Sequence, residues 1–272
     1  MESNSLELLH SIQLDMLVKF DKICEDNNLT YFLDSGTALG AVRHKGFIPW
    51  DDDVDVGMPR EDYDKLIELG RKGLPDNLFV QTYESDPAYM MPFAKIRLGN
   101  SYFPEKGGYV DKMKYQGIYI DVFPYDKVPA NAEQATRRVK KSRLLYFLSV
   151  FSRRDYPGRK LPQLVVSRFL HHLSDRKILY LHKKYDKFCT KYNVYGTSVM
   201  TCFCWRISQR NTFFFNEKEL FPTEKTVFEG KELSVVHDTN TYLTKMFGDY
   251  MVLPSEEDRK SHLIGSFEYN VS

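Results

Sequence analysis

The feature that most constrains this chain is a cluster of acidic residues inside an otherwise apolar segment. Four aspartates fall close together there: Asp51, Asp52, Asp53 and Asp55. If Val54 and Val56 face a core, the alternation of a strand turns Asp53 and Asp55 onto the opposite face. Neighbouring carboxylates repel and raise each other's pKa unless a cation lies between them. We therefore expect Mg²⁺, or another divalent cation such as Mn²⁺, and chemistry on a phosphate ester.

A glycine-containing turn precedes the cluster, at Ser35, Gly36 and Thr37. The backbone of such a turn can approach a phosphate closely, so these three residues are predicted to bind substrate. A short helix from about Thr37 to His44 would point its N-terminus at the same anion. Arg43 and His44 are candidates for contacts with diphosphate oxygens, since a guanidinium grips such groups with two hydrogen bonds. The alternative is an ordinary surface turn.

A further aspartate, Asp121, lies outside the cluster and interrupts the apolar run Gly117–Phe123. A carboxylate in such a run is costly unless it is paired or bound to a metal. Lys95 and Arg97 share one face of another predicted strand, where they would neutralise phosphates or merely solubilise a sheet edge. Asp51 lies two residues before Asp53, so it could face the same side of the strand and is a further candidate ligand. The predicted catalytic and metal-binding set is Asp53, Asp55 and Asp121.

The apolar periodicity predicts an α/β (α+β) fold, with a nucleotidyltransferase-like mixed-sheet core in residues 1–130. Residues 131–272 are predicted to be a mostly helical elaboration that completes the same domain. The predicted helices are Asn4 to about Asn27, Thr37–His44, Glu61–Leu69, Ala132 to about Tyr192 with breaks at Pro157 and Pro162, and Tyr242–Phe247. The predicted strands are Thr30–Leu33, a segment with Asp53 and Asp55 that stops at Gly57 and Pro59, Phe79–Tyr83, Phe93–Leu98, Gly117–Phe123 stopped by Pro124, Ser198–Cys204 and Lys231–His237.

Composition and compartment signals favour a cytoplasmic globular protein. The 272 residues are 42% hydrophobic and 28% charged, which is near the average for a chain with a substantial core. The start of the chain is acidic rather than basic, unlike a signal peptide, and the longest apolar run, Leu144–Phe151, is too short to span a bilayer. The cysteines lack the spacing of a zinc site, and free thiols suit the cytoplasm.

Charge is distributed unevenly along the chain. Residues 137–187 carry about 15 basic and about 3 acidic side chains, whereas residues 1–64 are acidic. The basic block could rest on an anionic membrane at its inner face, or it could be a solvated helical surface. Steeply salt-dependent RNA binding would instead indicate a nucleic-acid-modifying enzyme, but no nucleic-acid partner is expected.

The segment that carries these features resembles a known family. It reads YFLDSGTALGAVRHKGFIPWDDDVDVGMPREDYDKL, and the likeness continues at Phe93–Arg97, Gly117–Pro124 and Leu243–Arg259. This is similar to the signature of the LicD family of phosphotransferases, which is related to fukutin and fukutin-related protein. The resemblance implies a nucleotidyltransferase-like fold and assigns Asp53, Asp55 and Asp121 as the metal carboxylates.

The resemblance also implies a reaction. A phosphorylated alcohol, usually phosphocholine from CDP-choline, passes to a sugar hydroxyl of a lipid-linked glycan precursor such as a teichoic acid or lipopolysaccharide, and CMP is released. CDP-glycerol or CDP-ribitol is the alternative donor, and a non-catalytic glycan- or nucleotide-binding protein is the alternative from another class. A choline pocket would contain aromatic side chains. The aromatic candidates are Tyr102, Phe103, Tyr109, Tyr115, Tyr119 and Trp205.

Overall fold

The computed structural model of the chain describes residues 2–103, 105, 112–150, 174–204, 213–259 and 267–269. Within them the strands are β1 (Phe32–Leu33), β2 (Asp55–Pro59), β3 (Leu78–Gln81), β4 (Ala94–Leu98), β5 (Ser101–Tyr102), β6 (Tyr119–Val128), β7 (Val199–Cys202), β8 (Phe215–Asn216), β9 (Glu224–Phe228), β10 (Lys231–Val235) and β11 (Glu268–Tyr269). The helices are α1 (Glu2–Asp26), α2 (Ser35–Arg43), α3 (Arg60–Lys72), α4 (Ala132–Val150), α5 (Asp175–Cys189), α6 (Glu217–Leu220) and α7 (Thr239–Phe247).

The core of the fold is a mixed sheet with the order β1-β2-β6-β4-β3. Its two central strands, β2 and β6, run parallel, while every other pair within this sheet is antiparallel. Strand β7 continues along the edge of β6 beyond β4, and β8 pairs with β7. A mixed sheet with helices is the α+β architecture that the sequence predicts, and the fold-class prediction is confirmed.

Strand β2 begins and ends differently from the prediction. It starts at Asp55, so Asp53 lies in the extended segment before the strand. It also runs through Gly57, which was predicted to stop it. A Cβ at Gly57 would lie 2.4 Å from Cε2 of Phe32 on the neighbouring strand. The glycine is therefore there to let an aromatic ring pack on the sheet, which leaves the strand intact.

Strand β6 continues through Pro124, which was also predicted to be a stop. On one side of β6, the pairing with β4 ends at Val122 and the pairing with β7 begins at Tyr125. Pro124 thus falls where the neighbouring strand changes. Because a proline lacks only the N–H donor, it can sit in a strand where no ladder bond is needed from it.

Helix α2 begins at Ser35, two residues before its predicted start. Asp34 is its N-cap, and its side chain accepts a hydrogen bond from the Ser35 N–H. Ser35 and Gly36 therefore form the first turn of the helix and not a separate turn before it. The helix ends at Arg43, and His44 is its C-cap. Helix α3 extends the predicted Glu61–Leu69 at both ends and stops at Gly73, whose φ of +99° suits a glycine.

The second half of the chain contributes to the same sheet. Strand β7 pairs with β6, and β9 and β10 form a hairpin whose first strand the sequence did not indicate. The predicted breaks at Pro157 and Pro162 lie outside the described residues. Cys24, Cys189, Cys202 and Cys204 are all buried and free. In the described ranges, no helix is both long and apolar enough to cross a membrane.

Candidate active site

The centre of the candidate site is the pair of parallel strands β2 and β6. Asp55 and Asp121 are direct partners in their register. The Asp121 N–H donates to the carbonyl of Val54 at 2.8 Å, which ties the two strands together beside the carboxyl groups. Residues at matching positions of paired strands point to the same face. The structure thus brings Asp55 and Asp121 together, as the sequence predicts.

The segment before β2 keeps the alternation of a strand. Val54 and Val56 are completely buried, while Asp53 and Asp55 are half-buried. Asp51 is half-buried as well and lies against the first turn of α2, because a Cβ at Gly36 would be 2.8 Å from its Oδ2 atom. Gly36 therefore lies directly beside the acidic cluster.

Two side chains of α1 hold the backbone of the acidic segment. His10 Nε2 lies 2.7 Å from the carbonyl oxygen of Asp51, and Gln13 Nε2 donates to the carbonyl of Asp52 at 2.9 Å. Gln13 is buried, and the His10 ring stacks on Phe47 with 4.1 Å between centroids. No local sequence pattern indicates these contacts, since they join residues about 40 positions apart.

The electrostatics of the cluster reflect crowded carboxylates. Burial, together with the charges of Asp53 and Asp52, raises the pKa of Asp51 to about 8. Burial and the charges of Asp53 and Asp121 raise the pKa of Asp55 well above its ordinary value. Burial raises the pKa of Asp121 to about 6, although Lys95 opposes the shift. Negative charge at this site is therefore in excess.

This donor set fits a hard divalent cation in its chemistry, because oxygen ligands suit Mg²⁺ and a cation would relieve the repulsion. In the described part of the chain, however, no three His, Cys, Asp or Glu side chains gather closely enough to hold a metal ion. The ligand set Asp53, Asp55 and Asp121, with Asp51 as a further candidate, thus remains a prediction.

The ammonium group of Lys95 supplies positive charge to the site from the protein itself. Lys95 is Asp121's partner in the register of β4 and β6, and its Nζ lies 2.9 Å from Asp121 Oδ1 and 3.3 Å from Glu105 Oε2. The contact with Asp121 is an ion pair without a well-directed hydrogen bond. The ammonium also lies 3.2 Å from the ring centroid of Tyr119. Strand β4 is in the interior of the sheet, so Lys95 is not the solubilising edge charge of the alternative prediction.

Arg97 is on the same strand but is fully buried and taken up by the protein itself. Its Nε donates to Gln81 Oε1 at 2.8 Å, its Nη1 donates to the carbonyl of Gly117 at 2.7 Å, and its Nη2 pairs with Glu105. These contacts favour a structural role for Arg97 over the predicted contact with substrate.

A buried network beneath the N-terminus of α2 fixes Asp34. The hydroxyl of Tyr125 donates to its carboxylate at 3.0 Å, and the hydroxyl of Tyr242 donates to Asp34 Oδ1. Burial raises the pKa of Asp34, and these hydroxyls oppose the shift. The Asp34 N–H donates to the carbonyl of Asp55 at 2.9 Å. The network therefore fixes the start of α2 against the strand that carries Asp55.

The other residues predicted to bind substrate lie at the two ends of α2. Thr37 accepts the Asp55 N–H at its Oγ1 at 2.9 Å, so it holds the strand. Ser35 begins α2 with a positive φ of 46°. Arg43 and His44 lie at the far end of the same helix, where Arg43 Nε donates to His44 Nε2 at 2.9 Å.

The aromatic candidates do not form one cage among the described residues. Phe103 packs edge-on against Tyr119, whose ring already faces Lys95. Tyr115 stacks on Phe79, and Tyr102 is exposed on β5. Tyr109 and Trp205 lie outside the described residues.

Comparison with known proteins bears on the family of this chain. The family described as LicD/FKTN/FKRP, nucleotidyltransferase domain, matches residues 28–147. The lipopolysaccharide cholinephosphotransferase LicD of Haemophilus influenzae is 30% identical over 266 residues, which are 92% of this chain and 93% of that protein. The ribitol 5-phosphate transferase FKRP of Homo sapiens and that of Mus musculus are 48% identical over 47 residues, 17% of this chain and 10% of theirs. Since one likeness extends over nearly the whole length of both proteins, the chain belongs to the LicD family.

Proposed function

We propose that this protein transfers phosphocholine from CDP-choline to a sugar hydroxyl of a cell-surface glycan precursor and releases CMP. Membership of the LicD family, with 30% identity to a cholinephosphotransferase over 92% of the chain, makes it a phosphotransferase. The observation that carries the proposal is the register of Asp55 and Asp121 on two parallel strands, with Asp53 beside them. Acidic groups held on rigid neighbouring strands are suited to positioning a phosphoryl group.

The roles of the residues follow from their environment. Asp53, Asp55 and Asp121 would hold a divalent cation, which supplies charge neutralisation for the transferring phosphoryl group and the leaving phosphate. If Asp53 and Asp55 alone hold the cation, Asp121 would accept the proton of the acceptor hydroxyl, because burial raises its pKa to about 6, close to neutral pH. Lys95 keeps Asp121 ionised and fixes its orientation.

A polyol phosphate donor is the second candidate. The short but 48% identical match to ribitol 5-phosphate transferases favours CDP-ribitol, or CDP-glycerol, as the alternative to CDP-choline. The acceptor would be a precursor of lipopolysaccharide or of teichoic acid, since either presents a sugar hydroxyl. The basic face of α4 is proposed to approach an anionic membrane that carries a lipid-linked acceptor.

The test is CMP release from CDP-choline, CDP-glycerol and CDP-ribitol, with and without Mg²⁺, in the presence of a cell-envelope acceptor. We expect release from CDP-choline that is lost without the metal and in Asp53→Asn. Asp15→Asn is the control, because Asp15 is an exposed residue of α1 whose ion-pair partner, among the residues that the structure describes, is Lys19. Release from CDP-glycerol or CDP-ribitol instead would identify a polyol phosphate donor. No release from any donor would contradict the proposal.

A further inference from the structure

A second group of charged residues surrounds Trp50, the residue immediately before Asp51. The guanidinium carbon of Arg259 lies 5.1 Å from the centroid of the Trp50 ring. The His44 ring approaches the same indole edge-on, with 6.1 Å between centroids and an angle of 84°. Two segments far apart in the sequence thus meet at one aromatic side chain, next to the acidic cluster.

Arg43 belongs to the same group. Its Nε donates to His44, and its Nη1 donates to the carbonyl of Tyr250 at 3.0 Å. Partial burial and the positive charge of Arg259 lower the pKa of Arg43. Burial and the charge of Arg43 likewise lower the pKa of His44. Arg43 and Arg259 are therefore like charges that repel each other, and His44 accepts the Arg43 N–H as a neutral imidazole.

The two arginines of this cluster lack a carboxylate partner among the described residues. By contrast, Arg60 of α3 pairs with Asp126 and Arg97 of β4 pairs with Glu105, while Arg138 of α4 donates to the carbonyl of Phe188. Across the same ranges, neither Arg43 nor Arg259 forms an ion pair with an Asp or Glu side chain. Holding positive charges together without a counter-charge is unfavourable, so the arrangement indicates a site for an anion.

The donors needed for an anion are present. A guanidinium has five N–H groups. Within the described contacts Arg43 uses two of them, and Arg259 uses its Nε, which donates to the carbonyl of Pro254 at 3.1 Å. The face of Trp50 holds Arg259 by a cation–π contact. Planar guanidinium groups match the geometry of phosphate oxygens better than an ammonium does.

We propose that Arg259 and Arg43 form a clamp for the diphosphate of a nucleoside diphosphate donor, with Trp50 positioning Arg259. The clamp adjoins the acidic segment in the sequence, since Trp50 and Asp51 are consecutive residues. The proposal depends on the proposed function only for the identity of the donor. Arg259, which follows α7 in the chain, would then bind the same ligand as Arg43 at the end of α2, although no substrate contact was predicted for Arg259.

The test measures the binding of inorganic pyrophosphate, in buffer without divalent cations, by calorimetry. We expect the wild type to bind it, Arg259→Gln to weaken binding at least about tenfold, and Arg259→Lys to fall between them. Arg71→Gln is the matched control, because Arg71 is a half-exposed arginine already paired with Glu68 and Glu84. Thermal unfolding of each variant shows whether it remains folded.

Absence of pyrophosphate binding by the wild type would overturn the proposal, and so would equal binding by folded Arg259→Gln. In the CMP-release assay, Arg259→Gln should raise the KM for the donor more than it lowers kcat. Pyrophosphate binding that depends on Arg259, without CMP release from any CDP-alcohol, would contradict the proposed function and leave the clamp standing. CMP release by Arg259→Gln with an unchanged KM for the donor would support the proposed function and contradict the clamp.

Discussion

Lys95 Nζ and Asp121 Oδ1 lie 2.9 Å apart, on residues that face each other in direct register on β4 and β6. Both residues are almost inaccessible to solvent, with exposures of 3% and 9%. Glu105 shares the ammonium at 3.3 Å. Lys95 thus joins two carboxylates, of which Glu105 also pairs with Arg97, and the candidate base is held by a charge that belongs to the protein.

We expect Lys95→Met to destabilise the protein by about 3–5 kcal/mol, because it leaves the buried Asp121 carboxylate without its cation. The pKa of Asp121 should also rise further, since Lys95 opposes its upward shift. Urea unfolding measures the loss. Lys65→Met is the control: Lys65 is half-exposed, and its ion pairs with Glu61 and Asp62 lie at the surface, where such pairs contribute little to stability. Equal losses in the two variants would contradict the prediction.

The acidic cluster should make the protein less stable as pH rises. The pKa of Asp51 is raised to about 8 in the folded state, against about 4 in an unfolded chain. The folded state therefore holds a proton that the unfolded state has released, and stability falls between these two values. Asp51→Asn should reduce this slope, to which Asp55 and Asp121 also contribute, and be more stable than the wild type at pH 8 by a few kcal/mol, since each pKa unit corresponds to about 1.4 kcal/mol. Unfolding curves at several pH values in EDTA test this, and parallel pH profiles for the two proteins would refute it.

A divalent cation should reverse that loss. At pH 8 we expect Mg²⁺ to raise the melting temperature of the wild type, because binding to the folded state alone contributes about 2.7 kcal/mol at a hundredfold excess over Kd. Asp53→Asn and Asp55→Asn should respond much less. Differential scanning calorimetry with Mg²⁺ or Mn²⁺ measures the shift. An equal shift in the variants would mean that the cation binds elsewhere.

Tyr242→Phe should destabilise the protein by about 1–3 kcal/mol, because the buried Asp34 carboxyl loses a hydroxyl partner. CMP release should fall as well, since Asp34 caps the helix that lies against Asp51. Tyr250→Phe removes a hydroxyl that donates to the exposed Asn240, so it serves as the control with a change below about 0.5 kcal/mol. Chemical denaturation of both variants compares them directly.

Gly36→Ala should reduce activity more than stability. The added methyl group would lie 2.8 Å from Asp51 Oδ2, and the end of a flexible side chain can move away at small energetic cost. The displaced carboxylate would alter the acidic cluster, so we expect CMP release to fall about tenfold or more. The melting temperature should change by only a few degrees. A variant with full activity would show that the position of Asp51 is unimportant.

The sequence predicted the parts of the site that depend on local patterns. Alternation around Val54 and Val56 placed Asp53 and Asp55 on the outer face, and the apolar run around Asp121 placed that residue on a strand. The sequence-based predictions were wrong where contacts between distant residues determine the structure. Gly57 continues a strand because Phe32 packs on it, and Pro124 is tolerated because the neighbouring strand changes there.

Contacts between distant segments were equally invisible to local patterns. Neither Tyr242 nor Gln13 stands out by its sequence neighbours, yet one completes the cap of α2 and the other holds the backbone of Asp52. Each is identified only by the partner that folding brings to it.

The bond between Tyr242 and Asp34 joins residues 208 positions apart, and this distance sets an order of events during synthesis. When the ribosome has released residues 1–130, the chain already contains every carboxylate of the candidate site. The Asp34 carboxyl, however, must wait for α7 before its second tyrosine arrives. The N-terminal cap of α2 therefore gains its full set of hydroxyl partners after translation has passed residue 242.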